Sequence, residues 1–242
     1  EDIENCTGDT AIALSRIADN GQFFEVKADY GKSVAVGFIR LNGATVGAVA
    51  NRSESYDVEG KKVWESDGTL SARGARKAAE FVKFCDAFEI PVLTLTNVNG
   101  FKATVCGEKM MAKSVGQLVH AFADATVPKV NVIIGKAFGT AYTAMNSKAI
   151  GADMVYAWEN AEIGMMDADL AAKIMYAGDD AAALTEKAAE YRELQNSVSS
   201  AAARGYVDTI ISPADTRKYV IGAFEMLFTK REERPSKKHG TV

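Results

Sequence analysis

The sequence predicts an α/β domain in which short apolar strands are covered by helices. A strand, a loop and a helix follow one another three times after residue 91, and this alternation is typical of layered α/β domains. Two β-rich runs are joined by Asn42-Gly43, which is a strong hairpin signal. The chain has 242 residues, of which 48% are hydrophobic and 25% charged, enough for one sizeable core. No linker divides residues 1–242, which we treat as one domain.

The first 70 residues are predicted to contain a helix, the hairpin and a loop. Apolar residues at helical spacing predict a helix within residues 10–24 that ends at Asn20-Gly21. The hairpin pairs residues 34–41 with residues 44–50. Residues 51–70 are polar and are predicted to form a loop.

From residue 71 onwards the predicted elements alternate. An amphipathic helix over residues 71–88 has an apolar face, and its basic residues Arg73, Arg76, Lys77 and Lys83 are expected to face solvent. The elements predicted after it are a strand at 92–96, a helix at 108–125, a strand at 130–134, a helix ending near residue 150, a strand at 154–157 and a mainly helical remainder.

Charge and hydropathy exclude two classes of protein. The net charge is −4, from 28 basic and 32 acidic residues that are interspersed, whereas nucleic-acid binding needs a positive face. Residues 230–242 are the exception and are predicted to form a solvated basic tail, with a contact to a phosphate or a partner as the alternative. No apolar run is long enough to span a membrane, and the polar residues 1–9, which begin with Glu1, lack the features of a secretory signal.

The titratable residues offer few candidates for side-chain chemistry. Cys6, Cys85 and Cys106 are odd in number and far apart, so we expect no disulfide framework, no metal site and a cytoplasmic location. His120 lies within a predicted helix and is expected to be structural. The acid pairs Asp167/Asp169 and Asp179-Asp180 are interpreted as helix caps.

One loop could supply chemistry through its backbone. Residues 135–142, Gly-Lys-Ala-Phe-Gly-Thr-Ala-Tyr, lie between a buried strand and a helix. Small residues allow backbone N–H groups to approach a ligand, and a helix N-terminus favours negative charge there. The loop at residues 97–102 follows the preceding strand, so both loops are expected at one edge of the sheet. A plain packing turn remains the alternative for each loop.

Eight segments, in order along most of the chain, carry a resemblance to known proteins. They are Gln22-Phe-Phe-Glu-Val, Val36-Gly-Phe-Ile-Arg-Leu-Asn-Gly, Val46-Gly-Ala-Val-Ala-Asn, residues 75–88, Ala125-Thr-Val-Pro-Lys-Val, Lys136-Ala-Phe-Gly-Thr-Ala-Tyr, Ala203-Arg-Gly-Tyr-Val-Asp and residues 229–240. The set resembles the biotin-dependent acyl-CoA carboxyltransferases. The match is to the C-terminal half of the propionyl-CoA carboxylase β-subunit and of the methylmalonyl-CoA and glutaconyl-CoA decarboxylases.

The resemblance implies a crotonase-like superhelix of ββα units. It implies that residues 1–242 are the C-terminal, biotin-side domain of a carboxyltransferase, which moves a carboxyl group between carboxybiotin on a carrier and a short acyl-CoA. The implied partners are an N-terminal half that holds the acyl-CoA, the biotin carboxyl carrier protein, and further copies in a homo- or hetero-oligomer.

The resemblance also implies roles for individual residues. The backbone amides of Thr140 and Ala141, next to Gly139, would form an oxyanion hole for the biotin carbonyl. The residues implied to shape the biotin or substrate pocket are Asn99, Gly100, Phe101, Phe138, Tyr142 and Thr143.

Three positions and one segment depart from the family pattern. Thr140 replaces a second glycine, Thr143 an aspartate and Asn99 a proline, and the segment 110–118 lacks an Arg-His pair. Two other functions therefore stay open: a free-standing crotonase-type hydratase or isomerase, and a non-catalytic assembly subunit. No pair of glutamates with the spacing of the hydratases is found.

Overall fold

The computed structural model describes residues 3–57 and 59–234. Its central element is a largely parallel sheet of eight strands. The strands of the described residues are β1 (Phe23–Val26), β2 (Val34–Leu41), β3 (Ala44–Asn51), β4 (Glu54–Tyr56), β5 (Lys62–Glu65), β6 (Val92–Val98), β7 (Lys129–Phe138), β8 (Met154–Trp158), β9 (Glu162–Gly164) and β10 (Thr209–Ile211). The α-helices are α1 (Thr10–Ile17), α2 (Ala72–Ala87), α3 (Val105–Asp124), α4 (Gly139–Ala144), α5 (Ala168–Met175), α6 (Ala181–Tyr191), α7 (Val198–Ala203) and α8 (Thr216–Met226). Shorter 3₁₀ and π segments are Ile3–Cys6, Asp19–Gly21, Lys148–Ile150, Arg192–Asn196, Pro213–Asp215 and Leu227–Thr229.

The strand order of the sheet is β1-β2-β3-β6-β7-β8-β10, and β9 pairs with the end of β7. β1, β2 and β3 are antiparallel, and the remaining pairs are parallel. The hairpin prediction is confirmed: Leu41 pairs with Ala44, and Asn42 and Gly43 have φ values of +51° and +80°. Positive φ at both turn positions is the signature of a type I′ turn, which matches the twist of the strands.

Helices cover both faces of the sheet, as the alternation predicts. One core packs α1 and α8 against strand residues that include Leu93 and Leu95. The opposite core packs α2, α3 and α4 against residues that include Val92 and Val98. Neighbouring residues of β6 therefore enter different cores, because side chains alternate between the faces of a strand.

The helix caps expected from the acid pairs are confirmed. Asp167 accepts a hydrogen bond from the Asp169 amide at 3.1 Å and begins α5. Asp180 accepts one from the Ala183 amide at 2.8 Å and begins α6. The carboxylates thus satisfy first-turn amides.

Several predicted boundaries are wrong. Residues 51–70 contain the β4–β5 hairpin, and residues 23–26 form β1. β7 includes the first four residues of the predicted loop at 135–142, and α4 ends at Ala144 instead of near residue 150. The mainly helical remainder also contains β9 and β10. Strands of three or four residues are too short for a periodic pattern to separate them from loops.

The predicted basic tail is only partly solvated. Lys230 Nζ donates hydrogen bonds to the Val127 carbonyl at 3.1 Å and to Asp153 Oδ2 at 2.9 Å. These hydrogen bonds therefore connect residue 230 to the segments that precede β7 and β8. Residues 235–242, which include Lys237 and Lys238, lie outside the described residues. Within the described part of the chain, every helix is too short or too polar to cross a membrane.

Lys77 is buried, so the prediction that it faces solvent is wrong. Its side chain on α2 is 1% exposed, and among the described residues its Nζ meets no hydrogen-bond partner. Burial, the largest effect, lowers the pKa of Lys77 from 10.5 to about 8, although the nearby Glu25 carboxylate acts in the opposite direction. A buried ammonium without a hydrogen bond costs folding free energy.

We expect Lys77→Met to stabilise the protein at pH 7 by up to about 3 kcal/mol, the equivalent of the pKa shift. Below about pH 8 the lysine is charged in both states, so the folded state carries the full penalty. Between about pH 8 and pH 10.5 the unfolded state binds more protons, so the stability of the parent protein rises with pH and the advantage of the variant shrinks. Urea unfolding at several pH values measures this.

The control is Arg76→Met on the exposed side of the same helix, where Nε pairs with Glu80 at 3.0 Å. It should change the free energy of unfolding by less than about 0.5 kcal/mol at every pH. A Lys77→Met protein that is no more stable than the parent at pH 7 would contradict the prediction.

Candidate functional site

Three strands end side by side at the candidate site. Val98 at the end of β6 pairs with Ala137 of β7, and Ala137 also pairs with Ile163 of β9. Phe138, the last residue of β7, pairs with Gly164, the last residue of β9. The segments that follow β6, β7 and β9 therefore leave the sheet next to one another. This confirms that the loops after β6 and β7 share one edge.

Gly139 turns the chain from β7 into α4 with a left-handed backbone conformation, φ +63°. A Cβ atom at this position would lie 3.2 Å from the Met165 carbonyl oxygen, which belongs to the segment after β9. Both the dihedral angle and the close approach favour glycine here. The turn thus depends on a residue without a side chain.

The first turn of α4 presents backbone donors. A helix leaves its first amides without intrahelical partners, which in α4 are those of Gly139, Thr140 and Ala141. The preceding residue, Phe138, makes no side-chain hydrogen bond that would cap them. The Thr140 side chain is exposed, whereas Ala141 is buried. A carbonyl oxygen that gains negative charge could accept hydrogen bonds from these amides.

The loop after β6 is attached to the segment that precedes α2. Asn99 Nδ2 donates a hydrogen bond to the Asp67 carbonyl at 2.7 Å, and the Leu70 amide donates one to the Gly100 carbonyl at 2.8 Å. Gly100 has φ +139°, a region that glycine adopts readily. Phe101 bridges to Leu70 and packs against the core beneath α2. The loop therefore has a fixed place beside Gly139.

Three further side chains expected at the site pack against the protein. Phe138 is buried, and Tyr142 contacts two hydrophobic cores. Burial raises the pKa of Tyr142 to about 12, so the phenol stays protonated near neutrality. Thr143 Oγ1 donates a hydrogen bond to the Gly139 carbonyl at 3.5 Å. The structure thus places Tyr142 and Thr143 where they support the turn, and their contact with a substrate stays a prediction.

One ion pair flanks the turn. Lys136 Nζ lies 3.2 Å from Asp167 Oδ2 and 5.9 Å from the centre of the Phe138 ring. Burial of Asp167 opposes its ionisation, but the Lys136 ammonium and the backbone amides of Asp169 and Leu170 together outweigh this effect, and the pKa of Asp167 falls below its usual value. The ion pair joins β7 to the start of α5.

An open cleft of about 500 Å³ adjoins Lys136. Its walls include Asn97, Asn99, Gly135, Lys136 and Glu162. A larger cavity of about 760 Å³ lies beside Pro91 and Pro128, which precede β6 and β7. That cavity is at the opposite end of both strands. The cleft is lined by one of the predicted site residues, Asn99, and by Lys136, which precedes the turn, whereas residues 138–143 are not part of its lining.

Sequence reasoning missed several residues of the site. The sequence places Asn97 only in the loop at residues 97–102, Met165 in the mainly helical remainder, and Asp167 in a helix cap. β9 has three residues, which is too short for its pattern to be detected, so the approach of Met165 to Gly139 left no signal in the sequence.

Comparisons with known proteins place the chain in context. A family model described as "Carboxyl transferase domain" matches residues 3–242. Over 241 residues the chain is 42% identical to the putative propionyl-CoA carboxylase beta chain of Bacillus subtilis (strain 168), covering 97% of this chain and 46% of that protein. It is 41% identical over 239 residues to the methylmalonyl-CoA carboxyltransferase 12S subunit of Propionibacterium freudenreichii subsp. shermanii, covering 96% and 44%. The chain thus spans less than half the length of these relatives.

Solved structures agree in fold. Transcarboxylase 12S, described as a hexamer assembly with hydrolysed methylmalonyl-coenzyme A bound, has a TM-score of 0.86 and 42% identity over 96% of this chain and 44% of that one. The beta subunit of geranyl-CoA carboxylase from P. aeruginosa has a TM-score of 0.78 at 24% identity, over 96% of this chain and 43% of that one, which shows the fold alone. The crotonase-like α/β fold is thereby confirmed.

We expect Gly139→Ala to destabilise the protein by roughly 1–2 kcal/mol for the left-handed conformation, with a further loss from the contact to the Met165 carbonyl. The matched control is Gly205→Ala, where φ is +79° but no atom lies within 4 Å of the added Cβ. Urea unfolding of both variants separates the two effects. Equal losses would contradict the role assigned to the Met165 contact.

Proposed function

The chain belongs to the carboxyl transferase domain family, and from this we propose that it is the biotin-side half of an acyl-CoA carboxyltransferase. The reaction is the movement of a carboxyl group between carboxybiotin on a carrier protein and a short acyl-CoA. The observation that carries the proposal is the turn at Gly139, where α4 begins with the Thr140 and Ala141 amides next to the ends of β6 and β9.

The donor set at this turn fits a biotin ureido group. The ureido carbonyl is an acceptor, and the first-turn amides of α4 are donors without an intrahelical partner. A Cβ atom at Gly139 would meet the Met165 carbonyl oxygen at 3.2 Å, so glycine at this position keeps that space free in front of α4. Carboxybiotin, when bound, supplies the carboxyl group that is transferred.

Residues of this chain bind and orient the ureido oxygen. The amides of Thr140 and Ala141 donate hydrogen bonds to it, and the N-terminal end of α4 favours negative charge on it. Both donors belong to the backbone. The Ala141 side chain is buried in the core and fixes the first turn of α4. Little reorganisation is therefore needed when charge develops, which is the condition for electrostatic catalysis.

Threonine at position 140 is compatible with this role. Its side chain is exposed and does not pack into the core beside Ala141. The donor is the backbone N–H group, which every residue except proline carries. The departure from the family pattern at this position therefore leaves the donor in place.

The partners in this proposal are an N-terminal carboxyltransferase half, which holds the acyl-CoA, and a biotin carboxyl carrier protein. The relatives are about twice as long as this chain, which supports a second half in the working enzyme. We also propose an oligomer, and a cytoplasmic location. The location is supported by the number and spacing of Cys6, Cys85 and Cys106, which are odd in number and far apart and so do not predict a disulfide framework.

Thr140→Pro tests the amide directly. Proline removes the N–H, and the first turn of a helix tolerates it. We expect kcat to fall about 10²–10³-fold. The measurement is carboxyl transfer from methylmalonyl-CoA to free biotin, with propionyl-CoA as the product, in the presence of the N-terminal half.

Thr140→Ala is the control and should retain the activity of the parent, because it keeps the donor. Equal activity of Thr140→Pro and Thr140→Ala would overturn the role of the amide. A parent protein that hydrates crotonyl-CoA without biotin, or that transfers no carboxyl group and binds no biotin, would instead support one of the two alternative functions.

A further inference from the structure

The ladder between β6 and β7 is interrupted just before the site. Thr96 pairs with Ile133, but the next pair along the strands is Val98 with Ala137. β6 therefore advances by two residues while β7 advances by four, which is a bulge in β7. Bulges of this kind re-aim a strand, and they leave backbone groups that need other partners.

The side chain of Asn97 lies at this interruption. Its Oδ1 accepts a hydrogen bond from the Lys136 amide at 3.0 Å, and its Nδ2 donates one to the Thr7 carbonyl at 3.0 Å. Its own amide donates to Asn51 Oδ1 at 3.2 Å, at the end of β3. The carboxamide thus acts as an additional peptide group that connects β7 to the segment before α1.

Gly135 makes room for this carboxamide. A Cβ atom at Gly135 would lie 2.7 Å from Asn97 Oδ1 and 3.0 Å from Asn97 Cγ. Any larger residue at position 135 would displace the Asn97 side chain. The two residues are 38 positions apart in the sequence but form one contact.

The Asn97 contact lies where β7 changes partners. Before the bulge, Ile133 pairs with Ala157 of β8, and after it Lys136 pairs with Glu162 of β9. The stretch that pairs with β9 ends at Phe138, directly before Gly139. The direction in which β7 leaves the bulge therefore determines where the amides after Gly139 lie.

We infer that Asn97 is a positioning residue for the Thr140 and Ala141 amides, acting through the Lys136 backbone. This inference rests on the proposed carboxyltransferase function for its catalytic consequence. Its structural consequence, that Asn97 fixes the end of β7, is independent of the reaction.

The test compares Asn97→Ala, Asn97→Asp and a control. Asn97→Ala loses both side-chain bonds, whereas Asn97→Asp retains an acceptor for the Lys136 amide and loses the donor to Thr7. Asp86→Ala is the matched control, because Asp86 Oδ1 accepts from the Thr126 amide at 2.7 Å and the Val127 amide at 3.4 Å, near the other end of β7.

Hydrogen exchange measures the structural consequence without any substrate. In Asn97→Ala we expect the Lys136 amide and those of residues 137–141 to exchange about two- to tenfold faster, whereas Asp86→Ala should accelerate exchange at Thr126 and Val127. Asn97→Asp should leave exchange at Lys136 close to that of the parent. Unchanged exchange at Lys136 in Asn97→Ala would overturn the inference.

The catalytic consequence is measured with methylmalonyl-CoA and free biotin, together with the N-terminal half. Asn97→Ala should lower kcat about 10²-fold with KM for methylmalonyl-CoA unchanged, because a displacement of donors by about 1 Å has effects of this size. Asn97→Asp should restore most of kcat, and Asp86→Ala should keep it. A loss of kcat in Asp86→Ala equal to that in Asn97→Ala would assign the effect to stability and overturn the inference.

A double variant adds a geometric check. Gly135→Ala alone should disturb the Asn97 contact, and in Gly135→Ala/Asn97→Ala the added methyl group no longer meets the carboxamide. The loss in the double variant should therefore be smaller than the product of the two single losses. If the parent itself transfers no carboxyl group, the proposed function fails, and the exchange of the Lys136 amide alone decides whether Asn97 fixes β7.

Discussion

The change of partners along β7 is the constraint on which the site depends. The first part of this strand lies between β6 and β8 as an ordinary central strand, and its last three residues pair with β9. β8 and β9 occupy successive positions along the same edge of β7, on either side of the bulge. The bulge re-aims the strand, and Gly139 then starts α4 beside the segment after β9. The position of the first amides of α4 follows from this geometry.

Asparagine side chains packed over glycines recur around that turn. Asn97 lies over Gly135, Asn99 over Gly68, and Asn196, in the π segment, over Gly164. Each of these carboxamides donates to a backbone carbonyl, at Thr7, Asp67 and Met166 respectively. A carboxamide has the same donor and acceptor as a peptide group, so it can replace a ladder bond where strands diverge. Each glycine provides the space that the replacement needs.

The local features of the fold could be predicted from sequence, and the features that depend on distant contacts could not. Asn42-Gly43 specifies its hairpin through its own dihedral preferences, and the apolar period of α2 specifies that helix. The sequence predicts that Lys77 faces solvent because the residue is charged, whereas its burial depends on contacts that the sequence does not indicate. At the site, the glycine of the turn gave a signal, but the partners of Asn97 are 39 to 90 positions away. No periodic pattern records such contacts.

Backbone donors also determine how the site responds to pH. An amide N–H does not titrate near neutrality. Burial raises the pKa of Tyr142 to about 12, and, although burial opposes it, contacts with Lys136 and with backbone amides lower the pKa of Asp167 below its usual value. Neither Tyr142 nor Asp167 therefore changes its charge over the neutral range. Lys77, with a pKa of about 8, does change its charge at mildly alkaline pH, but it lies on α2, among residues around Glu25 and Arg52. Titration of Lys77 therefore changes the free energy of unfolding. The Thr140 and Ala141 amides remain hydrogen-bond donors at every pH, and their positions depend on the path of β7.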